Sequence, residues 1–305
     1  MSDTFASLRN KIAGAEDLGA VVRTMKAVAA SNIGQYEKSV HALLEYSQTI
    51  ELGLGACFRK KPLASSVVIS GNQKKKLKVG KVHRAVVFGS DQGMVGQFND
   101  VIADFAAKTL AVLPGRTEVW AVGERVHARL VSTGVATVGI FNVPISVEAI
   151  APLVGEILLE SQARQDHEHA ENQISELYLF YNHPTLGSAY EPNSQRVLPL
   201  DAAWCAGLAN IPWPTHKLPE VLSGGSTTLR AFVREFLFVS LFRACAESLA
   251  SENASRLAAM QRADKNIQEL LEDLNKSFHR VRQSGIDEEL FDVIAGFEAL
   301  RAEEK

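Results

Sequence analysis

The chain has 305 residues, of which 46% are hydrophobic and 22% charged, with a formal net charge of −3. That length allows two domains and a substantial core, and so small a charge gives no global argument for a nucleic-acid partner. Three cysteines far apart, Cys57, Cys205 and Cys245, without a C-x-x-C pair suit a reducing compartment rather than a zinc site, and no run of 18 apolar residues points to a membrane span.

The first residues enter a helical pattern at once, so neither a signal-peptide core nor a transit peptide is expected. Phe5, Leu8, Ile12 and Ala15 keep helical spacing, and Val22, Met25 and Ala29 continue it after a softer stretch at Gly14 and Gly19. From Ile33 through Tyr36, Val40, Leu43, Ser47, Ile50 and Leu54 to Cys57 the steps alternate 3 and 4. That is a seam of mean period 3.5, the pattern of a helix supercoiled on a partner. Pro62 is expected to end it. Small residues at Ala27, Ala29, Ala30, Ser31 and Gly34 would admit a partner helix closely. Lys74, Lys75, Lys76, Lys78 and Lys81 then make a basic connector without aromatics, read as a solvated loop rather than a nucleic-acid or lipid contact.

Residues 82–200 alternate strands and helices. Strands are expected over Val82–Gly89, Glu118–Val122, Val135–Phe141 and Glu176–Tyr181, with an edge strand over Arg196–Leu200. Helices are expected over Gly96–Leu113, Glu124–Ser132 and Ser146–Gln165, the last opened by a Ser cap. Such alternation predicts a mostly parallel sheet covered by helices, a doubly wound α/β domain. Pro212, Pro214 and Pro219 mark coil, and Ser223–Thr227 a flexible lead into a second long helix.

That helix shows the same seam: Leu257, Met260, Asp264, Ile267, Leu271, Leu274, Phe278 and Val281. Neither Pro nor Gly falls between Leu229 and Gln283. A rod of nearly 60 residues would span about 90 Å, too long to bury itself. Two seams at opposite ends of one chain can pair antiparallel if the middle folds compactly and returns the chain. Two separate amphipathic helices packed on a globular core would also satisfy the spacing. Asp264 is the one charge in this seam. The expected domains are 1–60, an N-terminal coiled-coil helix; 61–81, a basic linker; 82–220, the central α/β domain; and 221–305, a C-terminal coiled-coil helix with a short terminal helix.

No catalytic arrangement emerges. Gly89–Gly96 sits where a doubly wound fold holds phosphate, but its G-x-x-x-G-x-x-G spacing matches neither the dinucleotide pattern nor a P-loop; a tight turn accounts for it. Leu222-Ser223-Gly224-Gly225 is similar to a transporter-ATPase signature, but without a P-loop it reads as a linker. His167-Glu168-His169 has metal-ligand residue types in what reads as a frayed helix end. Asn253-Ala254-Ser255 fits a glycosylation sequon yet lies in the coiled coil.

Four runs, in order, carry a resemblance. Val22–Ser31, Ser90–Asn99, Ser248–Met260 and Arg282–Leu290 followed by Ile294-Ala295-Gly296 resemble the gamma subunit of rotary F-type ATP synthases, bacterial type. The resemblance covers both ends and the start of the middle domain. It implies an antiparallel coiled coil of the N- and C-terminal helices around a central doubly wound domain. It also implies a non-catalytic rotor shaft, without cofactor or metal, that couples ion flow to ATP synthesis or hydrolysis. Implied partners are the alpha and beta subunits of the hexameric head, the epsilon subunit and the membrane c-ring, with one copy per complex at the cytoplasmic face of the inner membrane. Carried over by position, Arg282 and Gln283 match a pair engaging a beta-subunit catch loop. Met25 and Lys26 match a segment facing an acidic beta loop, and Arg256 an arginine near beta-subunit contacts. Asp287 stands where Thr is common, Gln92 where Arg is, Met94-Val95 for Leu-Cys, and Asn32 for Lys. These departures, with the lysine-rich insert, leave open a divergent second-copy ATPase and its ion. Two rival readings stay in view: a coiled-coil scaffold, and an α/β small-molecule enzyme with a helical lid.

Overall fold

A computed structural model describes residues 5–60, 81–170, 174–185, 190–217, 219–220 and 225–303. Its elements in chain order are α1 (Phe5–Lys60), β1 (Lys81–Phe88), α2 (Phe98–Ala111), β2 (Arg116–Val122), α3 (Glu124–Ser132), β3 (Thr137–Phe141), α4 (Ile150–Ala170), β4 (Ile174–His183), β5 (Glu191–Leu198), α5 (Ala202–Asn210) and α6 (Gly225–Glu303). They form two compact units. One is built from α1 up to Ala29 with α6 from Leu257 onward; the other runs from Ala30 to Arg256.

In the first unit α1 and α6 lie antiparallel. Phe5 stacks on Phe278 at 4.5 Å, Gly19 faces Ile267, and Lys26 pairs with Asp264; numbers rise on one helix as they fall on the other. Val22, Met260 and Ile267 are buried between them, with Met25, Ala259, Ala263 and Leu271 packed alongside. Along α6 from Leu257 to Val281 the seam positions are buried or half-buried while most of their neighbours are exposed. Gly19, read from sequence as a soft spot, is itself a buried seam position. A β-carbon there would stand 3.2 Å from Arg23 Nη1 and 3.4 Å from the Ile267 methyl, so this position lies directly beneath a β-branched knob. α6 continues through Gly285 to Glu303 without a separate terminal helix.

The second unit is built on a five-stranded sheet of order β3-β2-β1-β4-β5. β1 is parallel to β2 and β4, β2 is parallel to β3, and β5 closes one edge antiparallel to β4. β1 is buried on both faces from Val82 to Phe88, which is why its second half, Ala85–Phe88, reads as an unbroken apolar run; His83 and Arg84 are buried with it. On one face Ala85, Val87, Val119 and Ala121 meet Ile102, Ala106 and Leu110 of α2 and Val126 and Leu130 of α3. On the other, Val86, Phe88, Val122 and Leu179 meet Ile150 and Val154 of α4, Tyr36 of α1, and Leu241, Ala244, Cys245 and Leu249 of α6. Here too α1 and α6 run antiparallel: Tyr46 Oη donates to Glu235 Oε2 at 2.9 Å and Gly53 abuts Phe232.

Three sequence expectations shift. α4 begins at Ile150 rather than Ser146, because Ser146–Ala149 form a turn in which the Ala149 N–H donates to the Ser146 carbonyl. β5 occupies Glu191–Leu198 rather than Arg196–Leu200, and Pro192 is tolerated inside it because the strand lies at the sheet edge. α5 falls where coil was expected. Asp201 caps it by accepting from the Ala203 N–H, and Arg59 of α1 donates to the Ala209 and Ile211 carbonyls at its other end. A cation there complements the negative end of the helix. Pro62, Lys74–Lys78 and Ser223-Gly224 lie outside the described residues; Lys81 opens β1, with its ammonium 3.9 Å from Glu176.

Candidate subunit-contact surface

The carboxyl ends of β1 and β4 mark the point where strand order reverses, the ligand crevice of doubly wound enzymes. In this unit α6 fills it. Ser251 Oγ donates to the Asn182 carbonyl at 2.9 Å, and Ser255 Oγ to the Val95 carbonyl at 2.6 Å. The Asn182 amide donates to the Phe98 carbonyl at 3.0 Å. The turn after β1 closes on itself: the Ser90 N–H donates to Asn99 Oδ1, and Asn99 Nδ2 donates to Ser90 Oγ. Asp91 accepts from the Glu124 N–H and the Val143 N–H, both at 2.9 Å, tying two neighbouring loops together. Met94 and Gly96 take φ of 61° and 59°, so this is the tight turn expected from the glycines. Its amides and side chains serve the fold, and no group of metal-ligating side chains occurs among the described residues. Asn253 of the sequon is buried, its amide donating to the Leu249 carbonyl.

The six residues singled out by position fall into three environments. Arg282, Gln283 and Asp287 are exposed on α6, five residues apart at most, or about 7.5 Å of helix rise. Met25 is half-buried against the Val22–Met260–Ile267 cluster. Lys26 extends to Asp264, Nζ to Oδ2 at 2.9 Å. That ion pair resolves the charge in the seam: Asp264 is tolerated because Lys26, 238 residues away in sequence, meets it. Arg256 belongs to the second unit and folds back on Glu252, Nη2 to Oε1 at 2.6 Å. Both side chains are nearly buried beside a cleft of about 160 Å³ that Asn32, Tyr36, Gln92 and Ile145 also line. Burial pushes the Glu252 carboxyl up, the Arg256 guanidinium pulls it back, and Asp91 adds to the rise.

Off the seam, exposed apolar side chains gather where periodicity gave no reason to look. Leu18, Val21 and Val28 stand out from α1, and Ile286, Leu290, Phe291, Val293 and Ile294 from the last described turns of α6. A contiguous apolar patch of a few hundred Å² or more marks a contact surface, whereas single exposed side chains are ordinary. A check of apolar positions outside the heptad would have found them. None of the three cysteines forms a disulfide among the described residues. Burial and the Asp201 charge push the Cys205 thiol up to about 11, and burial raises Cys245 further. Because the thiolate is the reactive form, iodoacetamide at pH 8 should label Cys57 in the native chain, and Cys205 and Cys245 only after unfolding. Peptide mass spectrometry across a urea series reads the order.

A family model described as ATP synthase matches residues 4–300. The chain belongs to the ATP synthase family. Curated relatives match nearly its whole length: the ATP synthase gamma chains of Granulibacter bethesdensis and Rhizorhabdus wittichii are 25% and 27% identical, each over 96% of this chain and 98% of theirs. Among solved structures, a chain of the Euglena gracilis mitochondrial ATP synthase (OSCP, F1 and c-ring, rotational state 3) aligns with TM-score 0.62 at 15% identity, covering 99% of this chain and 96% of that one. One from the central stalk and c-ring of the Tetrahymena thermophila mitochondrial enzyme aligns with TM-score 0.53 at 19% identity, over 80% and 99%. These structures share the fold of this ATP synthase family member: long terminal helices packed together and a mostly parallel central sheet. Among the described residues, no helix is long and apolar enough to cross a membrane.

Proposed function

We propose that this chain is the central rotor shaft of an F-type ATP synthase. It couples ion flow through a membrane sector to ATP synthesis or hydrolysis at surrounding beta subunits, and carries no catalytic site itself. The observation that carries the reading is the family match over residues 4–300, joined to a coiled coil with exposed apolar and charged residues outside its seam. Its partners are the alpha and beta subunits of the head, the epsilon subunit and the c-ring, at the cytoplasmic face of a bacterial inner membrane.

The shaft works by presenting different faces to chemically equivalent neighbours. α1 and α6 carry different side chains around their circumference, so each beta subunit meets a different surface. A beta subunit that binds one face better in one conformation has its population shifted toward that conformation. A bias of about 1.4 kcal/mol changes the ratio of two states tenfold. Rotation then moves the bias from one subunit to the next. The seam supplies stiffness, and the exposed residues supply the bias.

Arg282, Gln283 and Asp287 are the proposed contacts of the α6 end with beta subunits, supported by their exposure and by the exposed Ile286 and Leu290 among them. Met25 and Lys26 are proposed contacts on α1. Lys26 is about a third exposed while held by Asp264, which leaves ammonium hydrogens free to reach a second carboxylate. Arg256, nearly buried on Glu252, would act by holding the surface around the Asn32–Ile145 cleft.

Two measurements test this. Affinity purification of the chain from membranes should recover alpha- and beta-type ATPase subunits; recovery of other partners alone would favour a coiled-coil scaffold. In the assembled complex, Arg282→Ala with Gln283→Ala should lower ATP turnover and ATP-driven pumping roughly tenfold, the loss expected of one interfacial anchor worth about 1.4 kcal/mol. Unchanged turnover and pumping would remove these residues from the contact.

A further inference from the structure

Asp264 stands where a charge costs stability. Every other seam position of α6 from Leu257 to Val281 is apolar, and Asp264 itself is only 8% exposed. Its Oδ2 accepts from Lys26 Nζ at 2.9 Å, while its Oδ1 is buried without a hydrogen-bond partner among the described residues. A leucine there would complete the seam beside Met260 and Ile267 and desolvate no polar group. A buried ion pair is often exchanged for apolar side chains at no loss of stability. Stability is therefore a poor reason for this carboxylate to be in the seam.

Lys26 supplies a better one. It follows the half-buried Met25 on α1, and its side chain is 38% exposed against 12% for Asp264. An untethered lysine spreads its charge over the many rotamers of a flexible four-carbon stem; this one is tied at its tip. It cannot trade Asp264 for another partner, because that would strand an unpaired carboxylate in the seam. It can only bridge: one ammonium hydrogen serves Asp264, and the other two are left for a second acceptor. The cation on this part of α1 thus has one fixed place. We infer that Asp264 is a positioning residue, which holds the Lys26 ammonium ready to meet a carboxylate of a partner subunit. That this partner is a beta subunit rests on the proposed function.

A double-mutant cycle in the complex assembled with alpha- and beta-type subunits tests this. Asp264→Leu should leave the isolated chain's melting temperature unchanged or higher. It should nevertheless lower ATP-driven pumping about two- to tenfold, because one long side chain must then be ordered at each contact. With alanine at position 26 in place of Lys26, the same Asp264→Leu substitution should lower pumping no further. A melting temperature that falls in step with pumping makes the pair structural and overturns the inference. Equal losses with and without Lys26 overturn it too, since Asp264 would then act by another route. Wild-type pumping in both Asp264→Leu and Lys26→Ala removes Lys26 from the contact and Asp264 with it, and leaves the rotor reading standing. If the chain assembles with no ATPase subunits, the rotor reading falls and takes this inference with it.

Discussion

Glu118→Ala should be among the most damaging single substitutions outside the apolar core, costing about 3–5 kcal/mol. Glu118 is 4% exposed on β2, and Arg84, its register partner on β1, is 2% exposed. Its carboxylate stands 3.8 Å from Arg84 Nε, 2.9 Å from Arg116 Nη2 and 3.8 Å from Arg164 Nη1. One buried anion thus balances a buried cation and draws in two more. Arg116 is largely solvent-exposed and loses little when the carboxylate goes. Arg84 stays buried and loses the carboxylate that stands beside it. Glu118→Gln keeps the volume and an acceptor oxygen for Arg116 and should recover part of the loss. Urea unfolding of the wild type and the two variants measures this. A Glu118→Ala variant within 1 kcal/mol of wild type would show that the three guanidiniums do not depend on this carboxylate. Set against a typical total of about 5–15 kcal/mol, the expected loss is enough to unfold a marginal domain.

Gly123→Ala should cost a similar amount, about 3–5 kcal/mol, for an unrelated reason. Gly123 joins β2 to α3 with φ of 115°, a conformation L-residues avoid. An added β-carbon would also stand 2.7 Å from the Ser90 carbonyl oxygen, 2.8 Å from its carbon and 2.9 Å from its nitrogen. Those are backbone atoms, so nothing flexible can move aside. Ser90 is itself fixed by Asn99, and its carbonyl accepts from the Arg125 N–H at 3.0 Å. Gly134→Ala is the internal control. Gly134 has φ of 84° with nothing within 4 Å of the added carbon, so it carries only the conformational term, about 1–2 kcal/mol. The difference between the two variants isolates the steric part. Equal losses would mean that the turn after β1 gives way more easily than its hydrogen bonds suggest.

The helices were legible because a heptad is a repeated signal: seven steps of 3 and 4 from Leu257 to Val281 name a face whatever the individual residues prefer. The parallel strands were legible because burial on both faces leaves runs such as Ala85–Phe88 with no polar interruption. α5 was not legible. Nine residues among prolines give too short a window, and only Asp201 before Ala202-Ala203 signalled a start. Ser146 misled for a related reason, since the residue types that cap helices also make turns. Asp264 could not be explained from its own neighbourhood, because Lys26 lies 238 residues away. The contact residues were the least legible. Among the described residues nothing around Arg282, Gln283 and Asp287 specifies a role; the role proposed for them depends on surfaces encoded in other chains, and position within a resemblance was the only guide.

α6 in the crevice at the ends of β1 and β4 has one more consequence. In a doubly wound enzyme that crevice fills and empties, and the loops around it alternate between two states. Here the occupant is part of the same backbone, so Ser251 and Ser255 meet the Asn182 and Val95 carbonyls at an effective concentration that dilution cannot lower. The crevice can empty only if this stretch of α6 opens locally, not by loss of a ligand to solution. A binding fold has taken a piece of its own chain as its ligand.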